Sequence, residues 1–417
     1  MVILGIETSC DETALALIET RGQGADFECR VIGSLVHSQA ELHSAYGGVY
    51  PTLAKREHGK NLIPLFHKLL TESSEFIQIR DEAELNAESI KKSIDSFRAE
   101  IAPQNPELFE SFANAKFLNR IPKIDQIAVT EGPGLEPALW VGINFARMLG
   151  ELWRVPVVPI NHMEGHIVGS LLSSDITNGV WHKIHTAPMT AVALLISGGH
   201  TQLLEIKSIG NYKIIGETLD DAVGEAFDKA ARLLGLNYPG GSKLSMLAAE
   251  AREANIEAPL KLPRPMINSK DLNFSFSGLK TAVLYAVRKA PKDLKGDSPN
   301  RPGDELDENW KKGLAREFED AVAETLNSKL KSAIEKTDAK SVIIGGGVSA
   351  NGVLRSTFEK TANEYGIPIF MPLRHVSGDN ALMIALAAAL DSRHPSSGKP
   401  TEKVSGLRAQ GTKRLGV

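Results

Sequence analysis

Two histidines four residues apart, His162 and His166 in the run Asn161-His162-Met163-Glu164-Gly165-His166-Ile167-Val168, are the part of this chain best equipped for chemistry. The run Val155-Pro156-Val157-Val158-Pro159-Ile160 before them reads as a buried strand, and helix-compatible apolar residues follow. On a helix, positions i and i+4 share one face. The two imidazoles can therefore grip one metal ion; the plainer alternative is a pair of helical histidines that cap or pack. The spacing is H-x-E-x-H. In the zinc-peptidase motif H-E-x-x-H the glutamate adjoins the first histidine, whereas Glu164 lies two residues on and points to another face.

A metal needs a third ligand. Asp379 leads, in the polar turn His375-Val376-Ser377-Gly378-Asp379-Asn380 ahead of an apolar helix, with a simple N-cap role as the competing explanation. His375 rivals it from the same turn. His200, in Ser197-Gly198-Gly199-His200-Thr201, is open to use as a ligand, a phosphate donor or a plain turn residue. The acid pairs Asp11-Glu12 and Asp220-Asp221 are suited to act as bases or to hold a cation, although paired acids in turns are commonly just solvated.

These side chains need a scaffold, and the hydrophobic pattern supplies one twice. Val2-Ile3-Leu4-Gly5-Ile6 reads as a strand, residues 7–13 as a tight polar turn, Ala14-Leu15-Ala16-Leu17-Ile18 as a second strand and residues 29–36 as a third. The plan returns with a strand at 191–196, the Ser197-Gly198-Gly199 turn, a strand at 202–206 and another at 212–218. Two α/β lobes, starting at Met1 and near Thr190, would face their polar turns toward each other across a cleft. Small residues and unpaired backbone N–H groups in such turns suit a phosphate.

Other landmarks fit that cleft. Tyr46-Gly47-Gly48-Val49 is a loop opening a helix, and Tyr238-Pro239-Gly240-Gly241 leaves room for a ligand to approach the backbone. Residues 220–229, which include Asp228, are acidic and helical in character. Ser341-Val342-Ile343-Ile344 runs into Gly345-Gly346-Gly347-Val348-Ser349-Ala350-Asn351, a strand, glycine turn and helix start of the kind that binds nucleotides. Leu314, Phe318, Val322 and Leu326 mark an amphipathic helix. Residues 72–120 read as a solvated helical insertion with an acidic start (Asp81, Glu82, Glu84, Glu88), and residues 289–310 as a surface loop.

At 417 residues the chain is too long for one ordinary core, so two domains are expected. The divisions are 1–160, a first lobe carrying the insertion; 161–390, the histidine segment and second lobe; and 391–417, a flexible basic tail with six Lys/Arg against two acids. No run approaches the ~20 apolar residues of a bilayer span. Neither a signal peptide nor a disulfide framework is apparent, with Cys10 and Cys29 the two cysteines, so a cytoplasmic protein without a membrane role is expected. A net charge of −4 neither demands nor excludes nucleic acid.

Taken in order, Glu7 to Thr13, Tyr46 to Val49, His162 to His166, Ser197 to Thr201, Asp221 to Lys229, Tyr238 to Gly241, Phe274 to Lys280, Gly346 to Asn351 and Asp379-Asn380 resemble the motifs of the bacterial TsaD family, the tRNA N6-adenosine threonylcarbamoyltransferases, from residue 2 to about 390. The resemblance implies the two-lobed actin-like/Hsp70/sugar-kinase (ASKHA) fold with duplicated RNase H-like lobes. It implies transfer of threonylcarbamoyl from threonylcarbamoyl-AMP to N6 of adenosine 37 in tRNAs that read ANN codons, giving t6A. His162, His166 and Asp379 would bind one divalent metal, Fe(2+) or else Zn(2+). Leu195, Ile196, Ser197, Gly198, Gly199, Asp228, Gly241 and Asn351 would line the adenylate site. The TsaB paralogue and the TsaE ATPase would be partners.

Asp11 or Glu12, in the acidic turn facing the cleft, is expected to take the proton of the attacking amine. The chain departs from the family's pattern at Thr52, where members carry glutamate after the proline, and at Gly378, where they carry threonine. Competing functions are a metallopeptidase, a small-molecule kinase of the same fold, and a nucleotide-binding scaffold without catalysis.

Overall fold

Strand β1 (Val2–Glu7) is buried at every position after Val2, including its last, charged residue. It lies inside a seven-stranded sheet, third from one edge, with β2 (Glu12–Arg21), β3 (Glu28–Ser38), β4 (Gln126–Gly132) and β5 (Val157–Asn161). In this computed structural model, which describes residues 1–76, 87–115, 122–177, 179–290, 306–391 and 406–416, the sheet runs β5-β4-β1-β2-β3 before two extra strands. β1 pairs antiparallel with β2, and β2 with β3; β4 and β5 continue parallel to β1. The helices of this lobe are α1 (Ala40–Ser44), α2 (Pro51–Glu72), α3 (Ala87–Glu100), α4 (Pro106–Ala113) and α5 (Glu136–Trp153).

The second sheet repeats the plan. Its strands are β8 (Ala191–Ile196), β9 (Thr201–Ser208), β10 (Asn211–Glu217), β11 (Ser341–Gly345) and β12 (Ile369–Phe370), in the order β10-β9-β8-β11-β12 with the same strand senses. This matching order is the duplicated RNase H-like topology of the ASKHA fold. Around it lie α7 (Val223–Leu233), α8 (Gly241–Glu253), α9 (Ser277–Lys289), α10 (Glu308–Thr337) and α11 (Gly352–Tyr365). Leu314, Phe318, Val322 and Leu326 form the fully buried stripe of α10.

Between the sheets lie α6 (His162–Gly169) and α12 (Ala381–Leu390). Both belong to a core that mixes residues of the two lobes, from Ile3 and Ala14 to Ala193 and Ile343. Helix α12 is apolar on all sides because it is enclosed on all sides. A Cβ at Gly165 would lie 3.0 Å from Ile384 Cδ1, one at Gly169 3.1 Å from Met383 Cβ, and one at Gly5 only 2.2 Å from Ala381 O. Three glycines thus let α12 seat against α6 and β1.

Three expectations change. Strands β6 (Leu172–Thr177) and β7 (Trp181–Ile184), beyond the expected boundary at 160, join the first sheet through β3, so the chain re-enters that lobe before building the second. The insertion is helical, but it is not merely solvated: Phe97, Ile101, Leu108, Phe109 and Phe112 are buried with Phe66, Phe145 and Trp153 of α2 and α5. Its residues 77–86 and 116–120, with most of the acidic start, lie outside the described residues, as do 291–305 of the expected surface loop.

The flexible tail, third, does not hold for residues 406–416. Gln410 N donates to Glu131 O (2.7 Å), Lys413 pairs with Glu131, Arg414 Nη2 lies 2.5 Å from Glu217, and Leu415 is buried. Complementary charges and one apolar anchor strap the segment across both lobes. Residues 392–405 and 417 of the tail lie outside the described residues.

Candidate active site

Helix α6 starts where β5 ends, and Asn161 makes the junction. Its Oδ1 accepts from Met163 N (2.9 Å) and Glu164 N (3.4 Å), an N-cap that starts the helix at His162. One turn later His166 falls on the same face, and the two rings stand 4.7 Å apart at 82°. Asn380, not Asp379, caps α12, accepting from Met383 N at 3.0 Å. That leaves the Asp379 carboxylate for the histidines: Oδ1 is 3.4 Å from His162 Nε2 and 3.2 Å from His166 Nε2.

Ligand atoms of His162, His166 and Asp379 all lie within 4.8 Å of one another, the one such cluster among the described residues. Buried His166 Nε2 makes no hydrogen bond even with Asp379 so close. Three donor atoms gathered this closely, one of them a buried nitrogen without a well-formed hydrogen bond, are the arrangement a single ion would use. Two imidazoles and a carboxylate suit iron or zinc. The residues therefore fit the expected metal.

Behind His162 stands Glu7, the last residue of β1. Its Oε2 lies 2.9 Å from His162 Nδ1 and accepts from Thr130 Oγ1 at 2.7 Å; Ser9 Oγ is 3.2 Å from the same nitrogen. A carboxylate on the far nitrogen orients a ligating imidazole and raises its basicity. Burial pushes the His162 imidazole down, but Asp379 and Glu7 overcome this and hold it well above its ordinary value. Burial likewise opposes charge on Glu7 and Asp379, yet His162, with the Thr130 hydroxyl, keeps Glu7 below the usual carboxylate range, and His162 and His166 keep Asp379 well below it. Two retained anions around two imidazoles make a field that favours a cation.

Glu164 faces elsewhere. It accepts from Tyr212 Oη at 2.8 Å and lines a cavity of about 680 Å³ with Glu131, Tyr212 and the C-terminal strap. His375 is exposed and outside the cluster. His200 is not a member either, but burial and the charges of His162 and His166 push it down to about 4, so it sits neutral beside the cluster. Asp220 accepts from Phe276 N, Ser277 N and the hydroxyls of Ser275 and Ser277, tying down the start of α9, and Asp221 pairs with Lys229 at 2.7 Å. Neither is a cleft base.

The glycine turns converge. Ser197 N donates to His200 O and Gly224 N to Ser197 O, which fixes the turn, while a Cβ on Gly198 or Gly199 would meet nothing within 4 Å. Gly346 holds φ +91°, and a Cβ there would lie 2.4 Å from Ile196 O; Gly347 in turn approaches Gly378, next to Asp379. Asp228 Oδ1 accepts from Gly240 N (2.8 Å) and Gly241 N (2.9 Å), shaping the start of α8. Leu195 and Ile196 are fully buried and place the turn rather than line it. Asn351 caps α11 through Leu354 N, and its amide donates to Ser245 and Glu319. Its side chain is thus occupied in positioning.

Asp11 is buried at the base of the opposite turn. Burial first, and then the charge of Asp11, raise the Asp228 carboxyl and the Tyr238 hydroxyl of the second lobe. Glu12 differs from its neighbour: burial, then Asp379 and Asp11, push it up to about 9. Burial and the same acids hold the Cys10 thiol high, which rules it out as a thiolate nucleophile.

A duplicated RNase H-like fold, with a His-His-Asp cluster beside an open glycine cradle in the interlobe cleft, defines an ASKHA-class protein. Relatives narrow this. The profile of the TsaD family, described as tRNA N6-adenosine threonylcarbamoyltransferase, matches residues 30–79 and 107–386, and the unmatched interval falls inside the insertion. A protein of that description from Nitrosospira multiformis is 39% identical over 391 residues, covering 94% of this chain and 91% of its own. One from Burkholderia thailandensis is 40% identical over 397 residues, covering 95% and 94%. The chain belongs to the TsaD family, and it is a transferase. Among solved structures it is similar to the activator of the 2-hydroxyisocaproyl-CoA dehydratase from Clostridium difficile, at 14% identity and a TM-score of 0.41 over 94% of this chain and 93% of the other.

Glu7, Ser9, Thr130 and Asn161 were not singled out by sequence for the site. Glu7 left one signal: a carboxylate closing an otherwise apolar strand is costly to bury unless partnered.

Proposed function

We propose that this protein transfers the threonylcarbamoyl group of threonylcarbamoyl-AMP to N6 of adenosine 37 in tRNAs that read ANN codons, forming t6A. The observation that carries this is the placement of the His162–His166–Asp379 cluster beside the open Ser197–Gly199 turn, in a chain of the TsaD family. The cleft would take the adenylate with its phosphate on the backbone of residues 197–199 and its adenosine toward Gly241 and the α11 start that Asn351 caps. Bound at His162, His166 and Asp379, a divalent metal, iron by expectation with zinc as the alternative, supplies Lewis-acid polarisation or anchoring of the threonylcarbamoyl group.

The amine of adenosine attacks the carbamoyl carbon. The new C–N bond forms as the C–O bond to phosphate breaks, AMP departs, and the amine loses one proton. Asp11, buried on the opposite turn, is the acceptor we assign. Glu12, held near 9, carries its proton at neutral pH and is suited to donate a hydrogen bond instead. A TsaB-type paralogue and a TsaE-type ATPase would assist. A peptidase is disfavoured because Glu164 is engaged with Tyr212, away from the cluster.

The test is reconstitution with threonylcarbamoyl-AMP and an ANN-decoding tRNA, with and without TsaB and TsaE, scored by nucleoside mass. Formation of t6A that is lost in His166→Ala and Asp11→Ala is expected. No t6A from the complete mixture sinks the proposal, and full activity in Asp11→Ala removes its base.

A further inference from the structure

Tyr46 and Tyr50 stand stacked on the surface of the first lobe, ring centroids 5.6 Å apart at 20°, and are 64% and 53% exposed. Burying neither ring, the fold nevertheless fixes the backbone that carries both. His43, itself buried, accepts from Tyr50 N through Nδ1 (3.3 Å), and its carbonyl accepts from Tyr46 N (3.0 Å) and Gly48 N (3.4 Å). His43 Nε2 lies 3.3 Å from Gln39 Oε1, and Gln39 N donates 2.9 Å to Asp11 O. The stacked pair is therefore wired to the turn that carries Asp11. On its other side, Arg232 of α7 donates to Gly47 O, so the loop bridges to the second lobe at the cleft.

The rings open onto a concavity of about 440 Å³, also lined by Lys55, Arg56, Pro103 and Glu107. That falls within the ~300–1,000 Å³ typical of a small-molecule site. Lys55 and Arg56 bring two cations to its wall beside the Glu107 carboxylate, and Arg56, 3.7 Å from Glu57, lies on the solvent side. Exposed aromatic faces beside Lys and Arg are how proteins hold unpaired nucleotides, by base stacking with backbone neutralisation.

We propose that Tyr46 and Tyr50 are a stacking platform for an unpaired base of the tRNA loop that carries the target adenosine, with Lys55 and Arg56 at its phosphates. This rests on the transfer function above. To reach a buried site the adenosine must leave its stack, and its exposed neighbour needs a replacement surface. The platform supplies one at the lip of the cleft.

The test uses an anticodon stem-loop RNA with 5-iodouridine beside the target adenosine, photolysed with the full-length protein and its partner proteins, the cross-link being mapped by mass spectrometry. Cross-linking to Tyr46 or Tyr50 is expected. In fluorescence anisotropy, Tyr46→Ala and Tyr50→Ala should each bind the RNA about tenfold more weakly. Tyr46→Phe and Tyr50→Phe should bind like wild type, and Arg56→Glu should flatten the salt dependence. Melting temperatures control for folding. Wild-type-like binding by both alanine variants, with cross-links elsewhere or the rings covered by a partner protein, overturns the platform. In that case wild-type t6A formation still stands by itself. Cross-links at the tyrosines without any t6A would keep the platform and sink the transfer proposal.

Discussion

Glu7 Oε2 lies 2.9 Å from His162 Nδ1, joining the end of β1 to the first residue of α6 across 155 positions of chain. Both side chains are buried, and the contact leaves His162 Nε2 directed at Asp379. Glu7→Gln keeps the shape but removes the anion that orients the imidazole and raises its basicity. Metal affinity should fall about 10- to 100-fold, read by competition with a chromogenic chelator and by metal analysis of the purified protein. Unchanged affinity would remove Glu7 from the site.

A cation held by the proposed cluster would contribute stability as well as activity. Asp379 and the histidines hold the turn before α12 against α6, and an ion that binds only the folded state stabilises it by mass action. Dialysis against chelator should lower the melting temperature, with recovery on adding Fe(2+) or Zn(2+). His166→Ala should melt at one temperature with or without metal.

His58 makes a pH-dependent contribution. It is fully buried, with Nε2 donating to Cys10 O (3.0 Å) and Nδ1 facing the Thr13 hydroxyl (2.7 Å). Burial pushes it down to about 4. In the unfolded chain it takes up a proton near 6.5, whereas the folded state resists until about 4. The unfolded state thus binds more protons in that window, and stability falls as pH drops from 6.5 toward 4, by on the order of 3 kcal/mol. Urea unfolding across that range should show a shallower decline for His58→Gln, which should also be less stable at pH 7.5. Parallel declines would refute the assignment.

The C-terminal strap should be measurable by truncation. Ending the chain after residue 405 exposes the pocket of Leu415 and deletes the Lys413–Glu131 pair, while the largely exposed Arg414–Glu217 pair adds little. A loss of about 2 kcal/mol is expected, mostly from the leucine. Calorimetry should register a melting temperature lower by several degrees; an unchanged transition would mean that the segment does not bind the lobes in solution.

Gly165 sets the spacing of the site. Gly165→Leu would drive a side chain into Ile384 and Met383, push α12 off α6 and carry Asp379 away from the histidines. Loss of metal binding together with about 1–3 kcal/mol of stability is expected. Retention of both would show that α12 does not position the carboxylate.

Sequence and structure divide the work along physical lines. The i, i+4 spacing of His162 and His166 is local geometry, fixed once the segment is a helix, so it was legible in the chain. The doubled strand-turn-strand pattern was legible for the same reason, because alternation and apolar runs are written residue by residue. Whether Asp379 or its neighbour capped α12 was not: both types suit an N-cap, and backbone direction alone chose Asn380. Nor did the exposed-looking insertion announce Phe97 and Phe112 as core, since helical spacing marks an apolar face but not what covers it.

By itself the chain determined the lobes, the i, i+4 histidine pair and the family motifs. Tertiary structure decided what stands behind them. Glu7 reaches His162 only because β1 and β5 lie in one sheet, on either side of β4, and the tail becomes a strap only because Glu131 and Glu217 come within its reach. Contacts between distant segments depend on how sheets stack and helices cross, and that information resides in the packing of the whole chain rather than in any one stretch of it.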